Sequence, residues 1–192
     1  MISAILLAAG ESRRMGEFKQ LLHYGEKPFV VCCAENLLAS RLDELIVVTG
    51  HRDLDVRQTL ADYNLKIVFN ANYQEGMSSS IKCGTQAVNV NCQAMMIALA
   101  DQPQIGVPVI NQVIEAYEKT TSPIVIPVYN NKRGHPIILA ARLKEELLAI
   151  TPDVGLKQVV RAHEAETLYV QVADEAVLLD FDYPEDYRRL SK

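Results

Sequence analysis

The feature that most constrains this chain is a set of short apolar runs separated by polar, helix-like stretches. Residues 2–8, 45–49 and 94–99 are nearly continuous in aliphatic side chains rather than alternating. Alternation marks a strand with one wet face. An unbroken apolar run of this length marks a strand covered on both faces, as in a parallel sheet between helix layers. Residues 66–69 add a shorter strand. Between the runs, residues 28–40, 53–63, 78–89 and 107–121 have helical character. Pro28 suits a first helical turn, and three serines at 78–80 offer N-caps. Strand and helix alternate to the middle of the chain, which predicts an α/β fold with helices on both faces of a mostly parallel sheet.

The second half has another rhythm. Residues 124–128 and 136–139 are β-like and flank a polar, turn-rich loop at 129–135. The pattern predicts a hairpin with antiparallel pairing, read as an insertion within one domain covering 1–192. Residues 143–150 and 155–163 read as helices, 168–172 and 176–179 as late strands, and Pro184 opens a short terminal helix. There is no internal repeat, low-complexity tract or linker.

With 49% hydrophobic and 22% charged residues, the chain can bury a full core. Its net charge of −5 argues against a general nucleic-acid binder, so any phosphate-binding cation must be local. Cysteines stand at 32, 33, 83 and 92 without a C-x-x-C pair. They read as small buried thiols of a reducing cytosol rather than as metal ligands. The first apolar run ends at Ala9, too short to span a bilayer, and no basic n-region precedes it. The expectation is a cytoplasmic protein with neither membrane nor nucleic acid as partner.

The first strand runs through Leu7, Ala8 and Ala9 into Gly10, then Arg13, Arg14, Gly16 and Lys19. Ligands of open α/β sheets bind beyond the carboxyl ends of the strands. Gly10 and Gly16 are expected to take positive φ and let backbone N–H groups approach phosphate oxygens, and the cations add charge. This is not a Walker A loop: its glycines stand one residue too far apart, and Glu17 follows the second. Nor is it a dinucleotide fingerprint, because Ser12 occupies the required glycine. That disfavours a Rossmann-type dehydrogenase. The bland alternative is a surface turn with incidental charge.

Asp101 follows a buried strand on the same sheet edge as Gly10, and Pro103 and Gly106 delay the next helix. It reads as a magnesium ligand, since Mg²⁺ is commonly held by one or two carboxylates plus substrate phosphates. Asp180 and Asp182 follow the last apolar run, where, from the residues alone, a structural turn or helix N-cap is the stronger reading of either aspartate. Gly76, Ser78, Ser79 and Ser80 enter a helix, where they can contact a nucleotide or simply cap. Arg133, Gly134 and His135 stand at the exit of the hairpin loop.

The pattern L-A-A-G-x-S-x-R-M-G-x-x-K over 7–19 resembles the signature of MobA-like nucleotidyltransferases, nearest to the molybdenum-cofactor cytidylyltransferases. The resemblance continues through 72–80, 99–103, 133–136 and 180–186 in the family's order. One departure is Ala100, where this branch often has glycine before Asp101. The resemblance implies a Rossmann-like three-layer nucleotidyltransferase fold. It implies transfer of CMP from CTP to the phosphate of a molybdopterin-type acceptor, with pyrophosphate released. It makes Asp101 and Asp182 the Mg²⁺ ligands and Arg14 and Lys19 the catalytic cations. Leu7, Ala8, Ala9, Gly10, Arg14, Lys19, Gly76, Ser78, Ser79 and Ser80 would contact the nucleotide. Arg133, Gly134 and His135 would face the acceptor, although His135 can equally be an ordinary loop histidine. A molybdoenzyme or its chaperone is a further partner so implied. Two alternatives stay open: another phosphorylated acceptor such as a sugar phosphate, and a non-catalytic cofactor chaperone. Ala9 stands where the guanylyl branch tends to carry glycine, which implies CTP over GTP.

Overall fold

The computed structural model describes residues 1–188. Along the chain come β1 (Ile2–Ala8), β2 (His23–Tyr24), β3 (Lys27–Pro28), α1 (Phe29–Leu38), β4 (Glu44–Thr49), α2 (Asp53–Thr59), β5 (Lys66–Phe69) and α3 (Met77–Ala87). Then follow β6 (Ala94–Leu99), α4 (Val107–Glu118), β7 (Ile124–Tyr129), β8 (Lys132–Arg133), β9 (Ile137–Ala140), α5 (Lys144–Leu148), α6 (Lys157–Ala162), β10 (Thr167–Gln171) and α7 (Pro184–Arg188). The main sheet has the order β10-β7-β9-β6-β1-β4-β5, with β8 paired to β7. It is parallel except for β9 and β8, which run against their neighbours.

The apolar runs are continuous because successive side chains enter two different cores. Ala4, Leu6 and Ala8 of β1 join Leu45, Val47, Met96 and Ala98 under α1, α2 and α4. Ile5 and Ala9 join Ile46, Val48, Met95 and Ile97 under α3, α5 and α6. Each fully buried aliphatic side chain contributes roughly 1.5–3 kcal/mol relative to exposure. Helix α3 lies unusually close to the sheet at Gly84, where a Cβ would stand 2.3 Å from Ile5 Cγ2 and 3.0 Å from Val48 Cγ2. No helix among the described residues is long and apolar enough to cross a membrane.

The antiparallel pairing expected of the hairpin is present, and its return strand β9 enters the main sheet between β6 and β7. Two features differ from the sequence reading. Residues 176–179 are not a strand: Glu175–Leu178 form a 3-10 turn. Their carbonyls are taken by side chains and loop amides instead of a neighbouring strand. Of the four cysteines, only Cys33 is buried; Cys32, Cys83 and Cys92 are half-buried. The carboxyl ends of β1, β4 and β6 emerge on one edge, because all three run parallel in register.

Candidate active site

Beyond β1 the chain turns through Ser12 at φ +55° and Gly16 at φ +75°. Gly10 itself has no positive φ, contrary to expectation, so the left-handed turn falls on Ser12 and Gly16. The loop is tied to its own end. Lys19 N donates to Ser12 Oγ at 3.1 Å, and Gln20 Nε2 donates to the Gly10 carbonyl at 3.2 Å. Those bonds hold Lys19 against the sheet edge, where the residue is only 7% exposed. A buried ammonium needs anionic partners. It has two: Nζ stands 2.6 Å from Asp182 Oδ1 and 3.3 Å from Asp101 Oδ2. Arg14 Nη1 takes the other Asp182 oxygen at 2.5 Å.

The electrostatics follow from this arrangement. The Lys19 hydrogen bond, with Arg14 nearby, holds the Asp182 carboxyl below its ordinary value. Asp180 goes the other way: partial burial raises it, and the Asp101 carboxylate adds to the shift, although the residue still reaches the surface. Asp180 Oδ1 accepts from Gln102 Nε2 at 2.8 Å. The two aspartates thus have different partners, one facing the lysine and the other the loop after Asp101.

These groups open onto a cavity of about 450 Å³, within the range of small-ligand sites. Leu7, Ala9, Gly10, Arg14 and Lys19 line it from the first loop, with Asp101 and Asp182. Gly76 and Ser80 line it from the entry to α3. Gly76 is the N-cap of α3 at φ +95°, with no side-chain capping bond, so the serines lie within the helix rather than at its cap. The first-turn amides of α3 carry the positive end of its dipole at this entry. The remaining predicted nucleotide contacts face elsewhere. Ala8 points into the opposite core. Ser78 Oγ donates to the Thr151 carbonyl at 3.1 Å. Ser79 Oγ is engaged with Asn72, Gly76 and Asn70. Tyr73, Gln74, Met77 and Gln20 line the cavity without having been singled out. All four stand inside or beside the matched motifs, which was the available signal.

The hairpin residues Arg133, Gly134 and His135 do not line the cavity. Arg133 pairs with Glu164 at 2.6 Å and covers the Tyr169 ring at 4.8 Å. Gly134 packs so tightly that a Cβ would meet the Val177 carbonyl oxygen at 2.3 Å. His135 N donates to that same oxygen at 3.1 Å. Burial pushes the His135 ring down to about 4, so it is neutral at physiological pH. Among the described residues no group of three or more His, Cys, Asp or Glu side chains is arranged to hold a metal.

A three-layer α/β fold with a cation-and-glycine loop facing two aspartates at its carboxyl edge defines a nucleotide-handling protein of Rossmann-like type. The chain belongs to the MobA-like NTP transferase domain family, whose model matches residues 4–167. Similar curated proteins include nicotine blue oxidoreductase of Paenarthrobacter nicotinovorans, 29% identical and covering 98% of this chain and 96% of that protein. Another is the molybdenum cofactor cytidylyltransferase of Escherichia coli K12, 23% identical over 97% of this chain and 93% of that one. Among solved structures, Rv0371c of Mycobacterium tuberculosis H37Rv superposes with a TM-score of 0.88 at 27% identity, covering 98% and 96% of the two chains. A structure of that protein in complex with manganese matches with a TM-score of 0.84 at 25% identity, covering 98% of this chain and 97% of that one.

Proposed function

We propose that this protein is a Mg²⁺-dependent cytidylyltransferase that moves CMP from CTP to the phosphate of a molybdopterin-type acceptor. One observation carries the reading: the nearly buried Lys19 ammonium lies between Asp101 and Asp182 at the floor of the cavity. An acceptor phosphate oxygen attacks the α-phosphorus, the bond to the β-phosphate oxygen breaks, and pyrophosphate leaves with its electrons. The nucleophile is already anionic, so no strong general base is required. What the protein must supply is alignment of two repelling anions and neutralisation of the leaving pyrophosphate. Lys19, Arg14 and the α3 amino end, which line the cavity, would do that work.

Two carboxylates that already share one cation are a hard-oxygen donor set suited to Mg²⁺ or Mn²⁺. Asp101 and Asp182 would hold the ion, which when bound screens the charge of the triphosphate. The manganese complex of the M. tuberculosis relative supports this use. The name of the E. coli relative supports the choice of CTP and acceptor. Four cysteines without a disulfide suit a reducing compartment, and we read the protein as cytoplasmic.

The test is pyrophosphate release from CTP or GTP with Mg²⁺ and molybdopterin, sugar phosphates or polyol phosphates as acceptors. Release with CTP and molybdopterin is expected. Equal or greater use of GTP overturns the cytidylyl assignment, and release with a sugar phosphate alone replaces the acceptor. A parallel assay of nicotine blue oxidation or reduction covers the activity named for the P. nicotinovorans relative. Turnover there, with no pyrophosphate from any pair, overturns nucleotidyl transfer.

A further inference from the structure

Asp101 and Asp182 come from parts of the chain with very different support. Asp101 stands two residues beyond the end of β6, a strand paired on both sides. Asp182 follows a segment, 172–181, that belongs to no strand. Something other than the sheet must fix the second carboxylate beside the first.

The contacts of this segment show how it is held. Gln104 Nε2 donates to the Ala176 carbonyl at 3.1 Å and to the Leu179 carbonyl at 2.8 Å. Gln102 Nε2 donates to Asp180 Oδ1 at 2.8 Å. Both glutamines stand within three residues of Asp101 on the same loop. On the far side the Val177 carbonyl accepts from His135 N. Phe181 then inserts beside Phe29, ring centroids 5.1 Å apart. It separates Asp180, bound by Gln102, from Asp182, bound by Lys19.

The glutamines are poor choices for stability alone. Gln102 is 3% exposed, and its Oε1 is buried without a hydrogen-bond partner; the Gln104 Oε1 is the same. An unpaired buried carbonyl is costly, and an apolar side chain of similar shape avoids it. What these positions retain is the pair of amide donors aimed at 176–180. We propose that Gln102 and Gln104 are positioning residues, a clamp that docks the 176–180 segment onto the Asp101 loop and so fixes Asp182 relative to Asp101. The clamp acts through Asp180 and the backbone, and neither glutamine need touch substrate. Its consequence for catalysis rests on the metal-dependent reading above, whereas its existence does not.

Two measurements on the full-length protein test it. Hydrogen–deuterium exchange of peptides covering 176–182 reads the docking directly. Mn²⁺ titration by electron paramagnetic resonance reads the placement of the two carboxylates. Gln102→Ala, Gln104→Ala and Asp180→Ala should each speed exchange in 176–182. Gln102→Ala and Asp180→Ala should weaken Mn²⁺ binding about tenfold, the usual scale for loss of a group that orients a metal ligand. Asp180→Asn keeps an acceptor oxygen for the Gln102 amide, so it should stay within about twofold of the unmodified protein. The double variant Gln102→Ala/Asp180→Ala should be no worse than Gln102→Ala. If Gln102→Ala does not fold, Asp180→Ala, at a surface-reaching position, carries the same test. Unchanged exchange in both Gln102→Ala and Asp180→Ala overturns the clamp. So does Asp180→Asn behaving like Asp180→Ala, which would make charge rather than docking the determinant. If the unmodified protein binds no Mn²⁺, the metal-dependent reading falls, and exchange in 176–182 alone decides the clamp.

Discussion

Replacing Lys19 with methionine should have opposite effects in two assays. The change keeps the aliphatic stem, which is almost wholly buried, and removes the ammonium that lies 2.6 Å from Asp182 Oδ1 and 3.3 Å from Asp101 Oδ2. In the metal-free protein this ammonium is the counter-ion of both carboxylates, so a divalent cation must displace it at least partly. A hydrogen bond to a charged group contributes about 1.5–3 kcal/mol. Asp182 is partly open to solvent, with 35% of its side chain exposed, which argues for the bottom of that range or slightly less. A difference of about 1.4 kcal/mol is tenfold in a binding constant. Lys19→Met should therefore bind Mn²⁺ roughly tenfold more tightly in the absence of nucleotide. On the nucleotidyl-transfer proposal, the same variant also loses a cation that would neutralise the departing pyrophosphate. Its kcat/KM for CTP should fall by about 10²–10³, or about 2.7–4 kcal/mol. Electron paramagnetic resonance of free Mn²⁺ gives the first quantity and pyrophosphate release the second. Added Mn²⁺ should also raise the Tm of the variant more than that of the unmodified protein, since tighter binding to the folded state is added stability. Weaker or equal Mn²⁺ binding by Lys19→Met refutes the competition between lysine and metal, whatever happens to turnover.

Asp101→Asn and Asp182→Asn should each abolish pyrophosphate release while leaving far-UV circular dichroism unchanged; near-normal turnover in either removes that residue from the metal site. Ala9→Gly should relax the preference for CTP over GTP without inverting it, because one methyl group discriminates by only about 1–3 kcal/mol; competition between the triphosphates, read as product dinucleotide, checks this. Gly84→Ala should cost about 1–3 kcal/mol in urea unfolding by forcing α3 away from Ile5 and Val48, and a neutral result would mean that the helix shifts freely. His163 is raised above its ordinary value, first by its hydrogen bond to Glu166 and then by that to Glu146. Its contribution to stability is therefore full below about pH 6.5 and is lost as pH rises through the higher folded-state value. The urea midpoint should fall across that window in the unmodified protein and fall less in His163→Gln; identical slopes would discard the assignment.

The layered sheet was legible because burial on both faces forces an unbroken apolar run, and β1, β4 and β6 all carry one. Neighbours in sequence were enough to place Gly10 and Asp101 just beyond strand ends. The order of the sheet was less legible. Nothing local to 136–139 says that the returning strand enters between β6 and β7. Segment 176–179 looked like a strand because Ala176 and Val177 are buried, yet that burial is against the sheet layer, not within a ladder. The hairpin residues show the limit most clearly. Arg133 has its partner Glu164 31 residues away, and Gly134 is small because the Val177 carbonyl crosses it. Neither reason is visible in a local motif. Likewise, the separate fates of Asp180 and Asp182 depend on Gln102 and Lys19, which are 78 and 163 residues distant.

Those long-range contacts give the Arg133–Pro136 stretch a physical role that does not require it to touch a ligand. Gly134 and His135 meet the 176–180 segment from one side, while Gln102 and Gln104 grip it from the other. The segment in turn carries Asp182 to Lys19. The cavity is therefore built on two kinds of support. Gly10 and Asp101 stand just beyond the ends of the adjacent parallel strands β1 and β6 in the middle of the sheet, where backbone pairing on both sides resists displacement, and Lys19 is tied back to the first loop through Ser12. Asp182 is held instead by side chains: its ion pairs with Lys19 and Arg14, the Asp186 carboxylate on its backbone N–H, the Gln102 and Gln104 amides on the segment before it, and the Phe181–Phe29 contact. Local opening begins where backbone is held by the fewest ladder bonds, so loosening of this cleft should start at 176–182 rather than at the first loop. A carboxylate that moves away from the lysine would separate the two carboxylates proposed to share a cation without disturbing the sheet. On that proposal, residues far from Asp182 in sequence would alter metal binding through this one segment.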